Sequence, residues 1–195
     1  MAKSKCRFSC KINICTIKDL DPLCKIEEQH ELKFKSMPSE IIKQCSKAIA
    51  DKGWNMAFAE SASAGKLCAD FSLTPYSGAI LRGGIVCYEV FVKEQILHIP
   101  HRLIEEFTAE SQQVTQALAE RAALIFNSDL TVALTGLTTP GGSETPEKPV
   151  GTIFLHIITP LGNIAHRQVF SGSAEQIILQ AGEKTAQLIL DKIIS

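Results

Sequence analysis

The chain has 195 residues, 45% hydrophobic and 21% charged, with a formal net charge of −1. That size allows one domain, or one domain with an arm, and the composition excludes wholesale disorder. The near-neutral charge excludes a polycation built for nucleic acid, and no apolar run approaches the ~18 residues of a membrane-spanning helix.

Residues 1–36 read as a Cys-rich, mildly basic arm. Up to Lys18 there are five basic residues and no acid, and Cys6 to Ile17 partly alternate as an edge strand would. Arg7, Lys11 and Lys18 break the apolar runs, so no secretory leader is read and a cytoplasmic location is expected. Four of the seven cysteines (Cys6, Cys10, Cys15, Cys24) fall in this arm. Their spacing matches no common zinc or iron–sulfur pattern, so they read as reduced thiols used as small apolar groups.

From Pro38 the pattern is regular. Ile41, Ile42, Cys45, Ala48 and Ile49 recur at helical spacing, and Gly53 supplies a stop. A strand is predicted over Asn55–Glu60, then a tight Ser/Ala/Gly turn and a helix over Ala64–Leu73. A second strand is predicted over Gly84–Tyr88, followed by a helix to His98. Ser111 caps a helix running to Phe126. A third strand, Leu130–Leu134, ends in a Gly/Pro-rich loop, Thr135–Pro149. Gly151–Ile158 and Ile164–Phe170 form a hairpin, and Ser173 with Gln176 makes a capping box for a last helix to Ile193. Strands alternating with helices, then a hairpin, predict an α/β fold: a three-layer α/β/α sandwich with a mixed sheet.

Three segments after predicted strands collect small and reactive residues: Glu60–Gly65, Tyr88–Lys93 and Thr135–Pro149. Crevices in α/β sheets lie at strand ends, so the three are expected to share a pocket. A serine in the first would sit near a helix N-terminus, where backbone N–H groups can hold an oxyanion. No histidine falls in these turns, which leaves Lys93 as a base, neutral if buried. The competing local reading is a capping Ser61 and a surface Lys93. Ser63-Ala64-Gly65-Lys66 also matches the S-x-x-K of penicillin-recognising enzymes. However, Ser128-Asp129 lacks the following Asn, and Lys184-Thr185 lacks the following Gly and falls in a helix. No metal or organic cofactor is expected.

From Pro38 to Ile194 the chain resembles the C-terminal-domain family of the competence/damage-inducible protein CinA. The family's A-E-S-C-T-G-G reads here Ala59-Glu60-Ser61-Ala62-Ser63-Ala64-Gly65. Its Y-S-N-E-A-K reads Tyr88-Glu89-Val90-Phe91-Val92-Lys93. Its T-G-I-A-G-P and E-K-P-V-G-T read Thr135 to Pro140 and Glu147-Lys148-Pro149-Val150-Gly151-Thr152. The resemblance implies an amidase domain over residues 37–195 that deamidates nicotinamide mononucleotide to nicotinate mononucleotide and ammonia. It implies Ser61 as nucleophile, Lys93 as general base and Tyr88 as a nearby relay or orienting hydroxyl. Glu60, Ser63, Gly65, Arg82, Thr135, Gly136, Gly141 and Gly142 are the candidate substrate-binding residues. The expected partner is a small molecule of the pyridine-nucleotide type; neither membrane nor nucleic acid is expected, and self-association is left open.

The chain departs from the family at several points. Ala64 replaces a glycine, Val90-Phe91 replace an Asn-containing stretch, Thr139 replaces a loop glycine and Thr108 the glycine before A-V-S. Both arginines of F-x-G-D-R-x-x-V-R are absent, at Ala174 and Ile178. Arginine is a favoured phosphate partner, so phosphate recognition is expected to be weaker here. Lys148, Arg82 or the Gly141-Gly142 backbone are the candidate replacements. The alternative function is a relative that binds a nucleotide or protein partner without turnover.

Overall fold

The computed structural model describes residues 38–195. The predicted arm, its edge strand and Cys6, Cys10, Cys15 and Cys24 lie outside the described residues. Helix α1 (Glu40–Asp51) buries Ile42, Cys45, Ser46 and Ile49 and stops before Gly53, whose φ is +67°. Strand β1 (Met56–Glu60) leads through a turn into α2 (Lys66–Ser72). A one-turn helix α3 (Ser77–Ile80) precedes β2 (Leu81–Val86). A single π-helical turn (Val92–Ile96) and α4 (His101–Phe107) lead to α5 (Gln112–Phe126). Then come β3 (Leu130–Gly136), β4 (Thr152–Ile158), β5 (Ile164–Val169) and α6 (Ala174–Ile194).

The five strands order as β2-β1-β3-β4-β5. The first three are mutually parallel, and the β3-β4-β5 pairs are antiparallel, so the sheet is mixed as predicted. Alternation along the strands divides the core in two. Met56, Phe58, Val132, Leu134, Leu155 and Ile157 form one cluster with residues of α1, α2 and α6. Ala59 and Ala133 form the other, with Val114, Leu118 and Ala122 of α5. Large side chains on one face and small ones on the other let α5 lie close to the sheet. Ser111 caps α5, and Ser173 with Gln176 forms the predicted capping box of α6.

Three differences from the sequence reading have physical causes. β2 begins at Leu81 rather than Gly84 because Gly83-Gly84 belong to the strand. A Cβ on Gly84 would meet Phe58 Cβ at 3.1 Å and Cys68 Sγ at 3.3 Å, so the missing side chain serves close packing, not a turn. The helix predicted up to His98 is only one π turn. Helix α4 has only seven residues and half-buries Leu103 and Ile104 against the core without fully burying any, so its periodic signal is too short to read. Among the described residues no helix is long and apolar enough to cross a membrane.

Candidate active site

The parallel strands β1 and β2 end side by side, with Glu60 paired to Val86. Ser61 leaves β1 with its N–H still bonded to the Leu134 carbonyl at 2.9 Å. The chain after β2 enters the π turn, a helical form frequent at functional sites. That turn drives Lys93 inward to 1% exposure, while Ser61 is 6% exposed. Lys93 Nζ lies 3.1 Å from Ser61 Oγ and donates to the backbone carbonyls of Cys87 (2.5 Å) and Tyr88 (3.1 Å). Burial pushes the Lys93 amine below the ordinary lysine range, and the Glu110 and Glu89 carboxylates pull it partly back. A neutral amine has two N–H donors and one lone pair. With both donors held by carbonyls, the lone pair is left for the Ser61 hydroxyl.

Cys87 does not compete as a nucleophile. Burial raises its thiol to about 11, so the thiolate is scarce near neutrality.

Glu60 organises the turn. Its carboxylate accepts from the Ser63 hydroxyl at 2.6 Å and from the N–H groups of Leu67 (3.0 Å) and Cys68 (2.7 Å). The helix N-terminus considered as an oxyanion site therefore starts at Lys66, beyond Ser61, and two of its N–H groups are already taken. Among the described residues the N–H groups of Ala62 and Ser63 have no acceptor, so the donors left for an oxyanion lie in the turn itself.

The turn closes through Ala64 (φ +49°) and Gly65 (φ +93°). Both are left-handed, and only the second is a glycine. Ala64 is exposed, so its methyl gains little there. Ala64→Gly is expected to stabilise the domain by about 0.5–1 kcal/mol, raising Tm by roughly 2–4 °C, because the left-handed strain outweighs the extra chain entropy. Differential scanning calorimetry of the two proteins checks this.

Ser61 opens into a cleft of 190 Å³ that also holds Tyr88, Glu110, Gly136, Thr139, Gly141 and Gly142. The Tyr88 side chain is 63% exposed at its lip. Gly136 is there by necessity, since a Cβ would sit 2.4 Å from the Thr152 carbonyl oxygen. Other candidates lie elsewhere. Thr135 is fully buried, its hydroxyl 2.7 Å from that of Thr115 under α5. Arg82 is exposed near the start of β2, at the opposite end of the strand from the cleft. Ser63 and Gly65 border a separate groove of 540 Å³, with Glu175 and Ile178 of α6. The S-x-x-K pair is also dispersed: Ser63 is bonded to Glu60 and Lys66 is paired with Asp70.

Sequence reasoning passes over Glu110, which sits in the cleft directly before the cap residue Ser111. Its signal is a carboxylate inside the A-V-S segment, where the family has an apolar residue.

The family model for the CinA C-terminal domain matches residues 38–193. The chain belongs to the CinA C-terminal domain family. It is 36% identical over 153 residues to a CinA-like protein of Desulfotalea psychrophila, covering 78% of this chain and 35% of that one. It is 29% identical over 154 residues to a putative competence-damage inducible protein of Geobacillus, covering 78% and 36%. The chain thus spans about a third of the length of these CinA relatives. Among solved structures, a CinA superfamily protein from Klebsiella pneumoniae shares the fold with a TM-score of 0.75 at 22% identity, covering 80% of this chain and 96% of that one. The competence/damage inducible protein CihA from Agrobacterium tumefaciens aligns with a TM-score of 0.72 at 23% identity, covering 80% and 97%.

Proposed function

We propose that this CinA-family chain is an amidohydrolase of the nicotinamide-nucleotide amidase type, working through Ser61 and Lys93. The observation that carries the reading is a lysine buried to 1% exposure with its amine 3.1 Å from a serine hydroxyl. Ser61 Oγ attacks the carboxamide carbon while Lys93 Nζ takes its proton. The N–H groups of Ala62 and Ser63 hold the developing oxyanion. Lys93, now an ammonium, returns the proton to the departing nitrogen, and ammonia leaves. Water, deprotonated by Lys93, then hydrolyses the acyl-enzyme, releasing the carboxylate and regenerating Ser61. Tyr88, on the cleft lip, orients the ring that bears the amide. The domain begins near residue 37, and the cytoplasm is its expected location.

The test is ammonia release from nicotinamide mononucleotide, nicotinamide riboside and simple primary amides. Turnover that survives unchanged in Ser61→Ala would sink the mechanism. The pH profile is a second check. The neutral amine is the active form, so kcat/KM rises with pH through the Lys93 pKa. Burial lowers that pKa, so the rise is expected to finish below lysine's ordinary 10.5. A rate still climbing with pH above that value would exclude a buried lysine base.

One observation favours a second reading, binding without turnover. The positions of the two family arginines hold Ala174 and Ile178, and Ile178 helps make the 540 Å³ groove largely apolar. Tight binding of a pyridine nucleotide, with no ammonia from any amide, would select it.

A further inference from the structure

The candidate phosphate holders named from the sequence are already committed or lie away from Ser61. Lys148 spends its donors on the Thr108 hydroxyl (2.7 Å), the Glu110 carbonyl (3.1 Å) and the Ser143 hydroxyl (2.8 Å). The Gly141 N–H, half of the glycine pair that offered a phosphate cradle, is taken by the Glu144 carboxylate at 2.7 Å. The Gly141 N–H, with Glu144's own and that of Gly142, holds the Glu144 carboxyl below its usual range. Arg82 is at the far end of its strand, and Ala174 and Ile178 carry no charge.

Negative charge is present instead. Glu110 is half-buried in the cleft, positioned by the Ser143 hydroxyl, and close enough to Lys93 to raise its basicity. Glu110 is the one charged side chain among the residues that line the cleft, and burial opposes a charge on Lys93 behind Ser61. The exposed Tyr88 ring lines the same cleft, and an aromatic ring attracts a cation through its π face. The 190 Å³ volume is below the roughly 300–1,000 Å³ of drug-sized sites, so it encloses only a small head group.

We infer that Glu110 selects substrate charge: the cleft takes a primary carboxamide on a cationic, phosphate-free carrier, such as an N-substituted pyridinium. This rests on the amidase reading above. A carboxylate repels an approaching phosphate and attracts a pyridinium, and water and salt screen both effects. Charge selection therefore fades with ionic strength, whereas a purely structural role for Glu110 does not.

The experiment compares nicotinamide riboside with nicotinamide mononucleotide. It measures kcat/KM on the native protein, Glu110→Gln and Glu110→Val, and calorimetric binding to the Ser61→Ala protein with and without Glu110→Gln. The native protein is expected to prefer the riboside by about tenfold or more, less so in high salt. Glu110→Gln is expected to remove most of that preference, through KM rather than kcat, and to move the rise of the pH profile to lower pH. Should Glu110→Gln fail to fold, Glu110→Val and the salt dependence of the native protein carry the same test. A native preference for the mononucleotide overturns the inference. So does a riboside preference that neither variant nor salt reduces, and so does failure of the riboside to bind at millimolar concentration. Charge-selective binding without ammonia from any amide overturns the amidase reading alone and leaves the role of Glu110 standing.

Discussion

Lys93→Met is expected to lower ammonia release by roughly 10³-fold while leaving the domain folded. A positioned general base contributes about 10²–10⁴-fold, and here the same amine also returns the proton to the leaving nitrogen. Methionine is unbranched like lysine, one heavy atom shorter and without an ionisable end, so most of the packing around position 93 is kept. Two opposing changes act on stability. The carbonyls of Cys87 and Tyr88 lose their donor, at about 1–3 kcal/mol for a buried polar group left unpaired. Against that, the protein no longer holds an amine at 1% exposure, where burial opposes its charge. The net shift is therefore small, and a thermal scan beside the assay separates loss of the base from loss of the fold. Activity within tenfold of native in a folded Lys93→Met protein would remove lysine from the mechanism.

Much of this arrangement is legible in the amino-acid sequence. The hydrophobic periodicity of α1 and the serine caps of α5 and α6 locate the long helices, although Leu124 and Ile125, read as part of the apolar face of α5, are exposed. Short, nearly continuous apolar runs bounded by turn residues locate β1, β3 and β4, which are buried almost throughout, while β5 alternates. The convergence of three strand-end segments is also readable, and Ser61, Tyr88 and the Gly141-Gly142 loop do meet in one cleft. Arg82 and Thr135 are misplaced by such reading for different reasons. Arg82 looks like a turn residue because two glycines follow it, yet those glycines belong to β2, and Gly84 makes room for Phe58 and Cys68. Thr135 sits one position before the cleft, and the pleat turns it toward α5 instead. The burial of Lys93 depends on a π turn, which has no periodicity signal of its own. Glu110 escapes notice because its importance comes from a loop more than 25 residues away, through Ser143.

The other large effect expected is on stability, at Glu60. Glu60→Gln is predicted to cost about 2–3 kcal/mol, lowering Tm by roughly 5–10 °C in a domain of this size. The carboxylate is 1% exposed, and both of its oxygens are in use. One receives the Cys68 N–H, and the other receives the Ser63 hydroxyl and the Leu67 N–H. Glutamine has the same shape but one acceptor oxygen. Whichever way the amide is turned, its NH₂ meets a backbone N–H, and a buried donor is left orphaned. The Ser63 hydroxyl can rotate to accept, but a peptide N–H cannot. The charge-assisted bonds and the favourable field at the start of α2 are lost as well. Ser63→Ala removes one of the three donors and orphans no backbone group, so it is expected to cost only about 1 kcal/mol. Urea denaturation of the two variants measures both differences, and equal midpoints would show that Glu60 is not the brace of this turn. Since Ser61 is the next residue, a slackened brace shifts Oγ relative to Lys93 Nζ. Glu60→Gln should therefore also lower kcat, more than Ser63→Ala does.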